Sequence, residues 1–335
     1  MLEQCGAEDR EATDRVGGRS IGAHLVNWRH AVIETMEAQG PPTSILLATD
    51  LSPRCDRALD RAIALSQHWH SKLVILHVLE NLLQADYDPA VPSWRRPSDP
   101  VSVARRELLA DAGPVMDRAD IVIAEGDPAE VIARTAEAKG CDLIVTGIAR
   151  DELLGRFFLG TTVDRLPRFS PVPILVVRNR PRHPYRHVAV ATDFSESSRH
   201  ALETAIRYFP REALTIFHAY LPPGGGLISD PAALRRQYRA LVEQEYEAFV
   251  SSLESGEAIR RRARSFIEFG APAEVLRQGV LDMGADLVVL GTQGRSALLE
   301  VLIGSVARQI LAEVPCDVLI VREPRAAEKD ADAVG

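Results

Sequence analysis

The sequence predicts an α/β protein of two tandem domains, each a five-stranded parallel sheet with helices on both faces. Three observations predict it. First, blocks of sequence recur about 144 residues apart. Gly126-Asp-Pro-Ala-Glu-Val131 returns as Gly270-Ala-Pro-Ala-Glu-Val275, and Asp142-Leu-Ile-Val-Thr-Gly147 as Asp286-Leu-Val-Val-Leu-Gly291. Ala48-Thr-Asp50 returns as Ala191-Thr-Asp193. That period is too long for a solenoid unit and matches a whole domain written twice. Second, runs rich in Val, Ile and Leu alternate with helical stretches, the pattern of parallel strands buried on both faces. Third, a chain of 335 residues has the length for two domains that each bury a core.

Residues 1–43 lie outside the repeat, and Ile21–Gln39 has Leu25, Trp28, Val32, Ile33 and Met36 at helical spacing before Gly40-Pro-Pro42 ends the pattern. The copies are expected over 44–180 and 185–323, joined by a short linker at Pro181–Tyr185. Each opens on a buried strand, Ser44–Ala48 or His187–Ala191, followed by a turn in which Ser52 or Ser195 can cap the next helix. Those helices are expected near Arg54–His68 and Glu196–Tyr208, and the second strands at Lys72–Leu79 and Ala213–Tyr220. The breakers follow: Pro89, Pro92, Pro97 and Pro100 in the first copy, Pro222-Pro-Gly-Gly-Gly226 in the second, both read as loops. A second helix, a short third strand (Ile121–Ala124 and Ser265–Glu268) and a third helix come next. Pro128 and Pro272 fall in the first turn of that third helix, where a missing N–H costs little. Fourth strands at Asp142–Thr146 and Asp286–Leu290, a further helix, and fifth strands at Ile174–Arg178 and Asp317–Arg322 complete each copy. The tail 324–335, charged and rich in Ala, is expected to be disordered.

Composition narrows the function classes. With 46% hydrophobic and 26% charged residues the chain reads as an ordinary globular protein. A net charge of -8 argues against non-specific binding of nucleic acid or anionic membranes. Arg95-Arg96 and Arg260-Arg261-Arg262 are read as solvated surface. No apolar run approaches the ~20 residues of a membrane span, and no secretory signal is visible at the N-terminus. Cys5, Cys55, Cys141 and Cys316 show no paired or metal-type spacing, which suits a reducing cytoplasm. His68-x-His70 lacks a third ligand nearby, Ser195 lacks an evident His partner, and Cys141 and Cys316 border apolar strands as small core residues.

In an open parallel sheet, ligands collect beyond the carboxyl ends of the strands where the strand order reverses. In the second copy Asp193 follows strand one, and Gly291-Thr-Gln-Gly294 follows strand four. Ten residues on, Gly304-Ser305 opens the helix Val306–Glu313. Glycines let the backbone approach a ligand, and a helix N-terminus favours anions through its free amides and dipole. Together these make a phosphate cradle with a carboxylate nearby to accept from a base or sugar. The bland alternative is that Gly291 and Gly294 shape a turn and Ser305 caps a helix.

At these residues the chain resembles the ATP-binding universal stress proteins. Gly291-x2-Gly294-x9-Gly304-Ser305 matches their nucleotide motif, Ala191-Thr-Asp-Phe-Ser195 resembles their opening strand and turn, and His218-Ala219 the end of their second strand. The likeness runs from residue 44 to 323 as two Rossmann-like domains. It implies a cytoplasmic stress-response protein that binds ATP, alone or with Mg2+, as a sensor or regulator. It implies that Asp193 contacts adenine, with main-chain help from Ala191 and Ala219, and that Leu290 and Gly291 line the ribose and phosphate side. Gly294, Gly304, Ser305 and Val306 would wrap the phosphates; Thr192 and Arg295 adjoin these positions and belong to the same candidate set. Ala219 stands where relatives often carry valine. The resemblance also implies pairing of the two domains through their fifth strands, and leaves dimerisation of the whole chain open.

The first copy departs at one place. It reads Gly147-Ile-Ala-Arg150-x9-Gly160-Thr161, so Arg150 replaces the second glycine. Its side chain would block close backbone approach, and would be strained if the position needs a positive φ; a guanidinium could instead offer charge to a phosphate. Asp50, Val78, Gly147, Gly160 and Thr161 keep the other positions, so a weakened first site is expected. Neither copy has G-x4-G-K-(S/T) or a G-x-G-x-x-G after its first strand. No residue can be assigned to position an attacking water or hydroxyl, so the expectation is a binding protein, with slow ATP hydrolysis or a nucleotide-free scaffold as alternatives.

Overall fold

The computed structural model describes residues 40–53, 55–80, 99–112, 119–150, 157–158, 160–221, 231–253, 256–294 and 303–323. The helix expected at Ile21–Gln39, the segments 81–98 and 222–230, Arg295 and the tail 324–335 lie outside them.

The first copy runs β1 (Ser44–Thr49), α1 (Asp56–Trp69), β2 (Lys72–Leu79), α2 (Pro100–Ala112), β3 (Ala119–Glu125), α3 (Pro128–Lys139) and β4 (Leu143–Gly147). A small antiparallel pair follows, β5 (Ala149–Arg150) with β6 (Phe157–Phe158), and then α4 (Thr161–Phe169) and β7 (Ile174–Val177). The second runs β8 (His187–Ala191), α5 (Glu196–Tyr208), β9 (Ala213–Tyr220), α6 (Pro231–Ser251), α7 (Gly256–Arg262), β10 (Ala263–Phe269), α8 (Pro272–Met283), β11 (Leu287–Gly291), α9 (Ser305–Glu313) and β12 (Asp317–Val321).

The larger strands form one ten-stranded sheet in the order β10-β9-β8-β11-β12-β7-β4-β1-β2-β3. Inside each half every neighbouring pair is parallel. The halves meet where β12 pairs antiparallel with β7, Val318 opposite Val176, Leu319 opposite Leu175 and Ile320 opposite Ile174. All six side chains are 2% exposed or less. A fully buried Val, Leu or Ile is worth about 1.5–3 kcal/mol, so this junction is a core seam. Helices α1, α2, α5 and α6 close one apolar layer, and α3, α4, α8 and α9 the other; each layer runs through both halves.

Each half starts in the middle of its sheet at β1 or β8, walks outward, and then reverses to β4 or β11 on the other side. The reversal opens a crevice at the carboxyl ends of β1 and β4, and of β8 and β11. The repeated blocks explain why both halves fold alike. Asp142 accepts hydrogen bonds from Thr43 N (2.7 Å), Thr43 Oγ1 (2.7 Å) and Ser44 N (3.1 Å). Asp286 accepts from Arg186 N (2.7 Å) and His187 N (3.0 Å). Each carboxylate thus ties the entry of a fourth strand to the entry of a first. In the other block, Gly126 and Gly270 have φ of 135° and 147°, and a Cβ there would lie 3.0 Å from Val131 Cγ2 or 2.4 Å from Val275 Cγ2. Pro128 and Pro272 then open α3 and α8 as the sequence predicts.

Several local expectations change. Ser195 caps α5 by accepting from Ser198 N, but Ser52 does not cap α1; its N-cap is Cys55, without a side-chain bond, after the turn Cys55 N to Ser52 O. Pro100 is read as a loop breaker, yet it opens α2, because the first helical turn needs no N–H there. The third strands extend over seven residues each, since β2 and β9 offer a full-length parallel edge to pair with. The run Arg260–Arg262 ends α7, where Arg260 meets Glu247 and Arg262 donates to the Glu212 and Phe209 carbonyls. Cys55, Cys141 and Cys316 are free and buried.

Candidate functional site

The turn after the first strand is built alike in both halves. Thr192 Oγ1 accepts from Phe194 N (2.9 Å), and Asp193 Oδ1 from Ser195 N (3.1 Å). In the first half Thr49 Oγ1 accepts from Leu51 N (3.1 Å), and Asp50 Oδ1 from Ser52 N (2.9 Å). These bonds hold a non-glycine residue in left-handed backbone, Phe194 at φ 62° and Leu51 at φ 60°, which costs about 1–3 kcal/mol when unsupported. The repeated Ala-Thr-Asp therefore places a carboxylate at the crevice by local hydrogen bonding. A histidine from the next strand secures each turn: His218 Nδ1 lies 2.8 Å from Thr192 O, and His77 Nδ1 2.9 Å from Thr49 O. The His218 ring also stacks on Phe194, centroids 4.3 Å apart. Neither histidine is singled out as a site residue from the sequence, although their equivalent places in the two copies are the signal that could have found them.

Opposite the second carboxylate, β11 leads into the glycine loop. A Cβ on Gly294 would sit 2.8 Å from Asp193 Oδ2, so the bare backbone at 294 lies against the carboxylate. Gly294 is not left-handed. The strain expected of a side chain there is therefore not conformational; what the position needs is room. Gly291 is different. A Cβ on it would be 2.4 Å from Ser197 Oγ and 2.8 Å from Ser197 O, so the opening turn of α5 already demands glycine there. Packing against α5 is thus a reason for glycine at 291 that is separate from both turn shaping and ligand approach. Gly304 N donates to Thr292 O at 2.9 Å, which brings the start of α9 to the end of β11. Helix α9 begins at Ser305 with Gly304 as N-cap and no side-chain cap, so Ser305 is the first helical residue and does not cap. The Ser305 and Val306 side chains are exposed. Leu290 is 3% exposed and sits in the core, which leaves only its main chain for the crevice. Thr192 is buried, with its hydroxyl 2.8 Å from Ser198 Oγ. Ala191 and Ala219 end β8 and adjoin the end of β9, half-buried beside the turn.

In the first half Asp50, Val78, Gly147 and Gly160 line one cavity of about 170 Å³, with Thr49, Cys55, Glu80, Ile132 and Thr162 among the other walls. Thr161 is exposed at the start of α4 and does not line it; Thr162 does. Arg150 runs in the strand β5. Burial alone would raise the Asp50 carboxyl, but hydrogen bonds from Cys55 and Ser52 outweigh it and hold the carboxyl below the usual range. Burial, and then the facing carboxylate, push the Cys55 thiol up to about 12, which makes it a poor nucleophile.

Comparison with known proteins agrees with the duplicated fold. The model of the universal stress protein family matches residues 42–178 and again 184–322. The chain belongs to the universal stress protein family. A universal stress protein of Thermus aquaticus is 35% identical over 136 residues, 40% of this chain and 98% of that one. A universal stress protein E homologue of Haemophilus influenzae is 24% identical over 230 residues, 63% of this chain and 72% of that one. Among solved structures, a protein of unknown function from Pseudomonas aeruginosa superimposes with a TM-score of 0.61 at 19% identity, covering 90% of this chain and 98% of that one. A universal stress protein from Archaeoglobus fulgidus gives 0.58 at 17% identity, covering 84% and 99%. These two likenesses concern the fold. In this tandem universal stress protein no described helix is long and apolar enough to cross a membrane.

Proposed function

We propose that this universal stress protein binds an adenine nucleotide, ATP, in the β8–β11 crevice of its second half and acts as a nucleotide-dependent regulator in the cytoplasm. The observation that carries the reading is the bare Gly294 backbone against the Asp193 carboxylate, ten residues before Gly304 and the first turn of α9, which has no side-chain cap. Asp193, with the main chain of Ala191 and Ala219, would hold the base. The amides of Ser305 and Val306 at the positive end of the α9 dipole would hold phosphates, with Gly304, whose own N–H is spent on Thr292 O, giving them room. Any Mg2+ would enter on those phosphates. Arg150 in place of the second glycine of the first half supports one nucleotide per chain. Three free buried thiols support a reducing compartment.

Calorimetric titration with ATP, with ADP and AMP as separate arms, tests the reading on the wild type and on Gly294→Arg, which copies the difference between the repeats. One equivalent per wild-type chain and none per variant is expected; equal titrations would end the assignment. A turnover on the order of 1 s⁻¹ or faster would instead make the protein an enzyme.

A further inference from the structure

The junction of the two halves has an exact internal symmetry in register and a broken symmetry in charge. Pro171-Val-Pro-Ile-Leu-Val-Val-Arg178 aligns without a gap on Pro315-Cys-Asp-Val-Leu-Ile-Val-Arg322. Under that alignment Leu175 and Leu319 are equivalent and face each other, while the flanking pairs exchange. A pseudo-twofold axis therefore passes through this pair. Helices α4 and α9 lie on one face of the sheet beside that axis, and Asp164 and Arg308 are equivalent positions in them. They meet: Arg308 Nη2 is 2.9 and 3.1 Å from the two Asp164 oxygens. A residue that touches its own equivalent sits at the axis, so two copies of the first half would set Asp164 against Asp164. Two copies of the second would set Arg308 against Arg308.

The opposite face repeats the logic with a buried pair. Arg61 Nε lies 3.2 Å from Asp317 Oδ2, with side chains 7% and 1% exposed. Asp317 also accepts from Tyr185 OH (2.7 Å), Arg178 N (2.8 Å) and Asn179 N (3.1 Å), and the Arg61 guanidinium covers the Tyr185 ring at 4.1 Å. The equivalents of this pair are Thr204, in Ala201-Leu-Glu-Thr-Ala-Ile206 against Ala58-Leu-Asp-Arg-Ala-Ile63, and Pro173. A homotypic pair of first halves would bury Arg61 against Pro173, and a homotypic pair of second halves would bury Asp317 against Thr204. The first leaves Arg61 buried without a carboxylate and the second leaves Asp317 without Arg61, which is unfavourable in both. In the second, Arg322, the equivalent of the buried Arg178 that also interacts with Asp317, would stay beside Asp317. Only the mixed pair satisfies both faces.

We propose that Asp164/Arg308 and Arg61/Asp317 form a charge code that makes the fifth-strand edge of each half accept the complementary half and reject a copy of itself. The hydrophobic seam supplies adhesion, which is the same for any pairing, while the charges supply discrimination. The proposal stands apart from the nucleotide reading.

The test is a double-mutant cycle in the full chain, read by hydrogen exchange at the β7 and β12 amides. Asp164→Arg and Arg308→Asp should each speed exchange by about three- to tenfold, and the double reversal should return it to within about twofold of wild type. Singles without effect, or a double as fast as the product of the singles, would overturn the pairing. The double reversal also shows whether the positions tolerate either charge. For discrimination, a protease site at Arg182 allows the folded chain to be nicked with both halves present. After the nicked halves are unfolded and refolded together, native mass spectrometry should find only mixed pairs; like pairs of either half would sink the proposal.

Discussion

Two glycines three residues apart carry different obligations. Gly291 faces the main chain of Ser197 at 2.8 Å, a wall that cannot move without shifting α5, whereas Gly294 faces the end of a half-exposed carboxylate. Gly291→Ala should therefore destabilise the fold by about 1–3 kcal/mol, as overpacking does. Gly294→Ala should change stability by about 0.5 kcal/mol or less and, if the nucleotide reading holds, weaken ATP binding at least about tenfold. Denaturant melts and calorimetry on both variants check the contrast. A motif written as glycine-x2-glycine does not reveal this division, because both letters are the same and only their neighbours differ.

At the scale of elements, the repeated blocks that look most like functional signatures are largely fold devices. Asp142 and Asp286 staple strand entries, Gly126 and Gly270 supply positive φ in front of a valine, and Thr and Asp of the Ala-Thr-Asp turn hold a left-handed residue. Asp142→Ala should cost at least about 2 kcal/mol, since it strands the Thr43 and Ser44 donors of a charge-assisted set. Hydrogen exchange should speed first at β1 and β4. Sequence periodicity locates nearly all of these elements, but it misses the β5–β6 pair, whose two-residue strands carry no period, and the length of β3 and β10, which tertiary pairing sets.

At the scale of the whole molecule, the seam between the halves decides stability. Arg61→Ala should destabilise by about 3–5 kcal/mol, because Asp317 stays buried without its guanidinium. The seam is also sensitive to alkali. Tyr208 donates to Asp142 O across it at 3.2 Å, and burial pushes its phenol up to about 12. A raised acid in the folded state means that stability is complete below the unfolded value near 10 and falls as pH rises from about 10 to 12. Melts across that range should show the fall, and Tyr208→Phe should reduce it, the rest coming from the Tyr185 phenol and the Cys55 and Cys316 thiols, which burial also raises.

The sequence by itself determined the duplication, the strand and helix order, the doubly wound class and the position of Asp193 and the glycine loop, because periodicity and repeats are local and survive without coordinates. It also located Arg150 as the departure of the first copy. Only the tertiary structure decided that Gly291 abuts Ser197 while Gly294 abuts Asp193, that Leu290 is buried in the core, and that Asp164 meets Arg308. Those facts depend on distances between residues far apart in the chain, and a pseudo-twofold axis gives equivalent positions a meaning that no single copy contains.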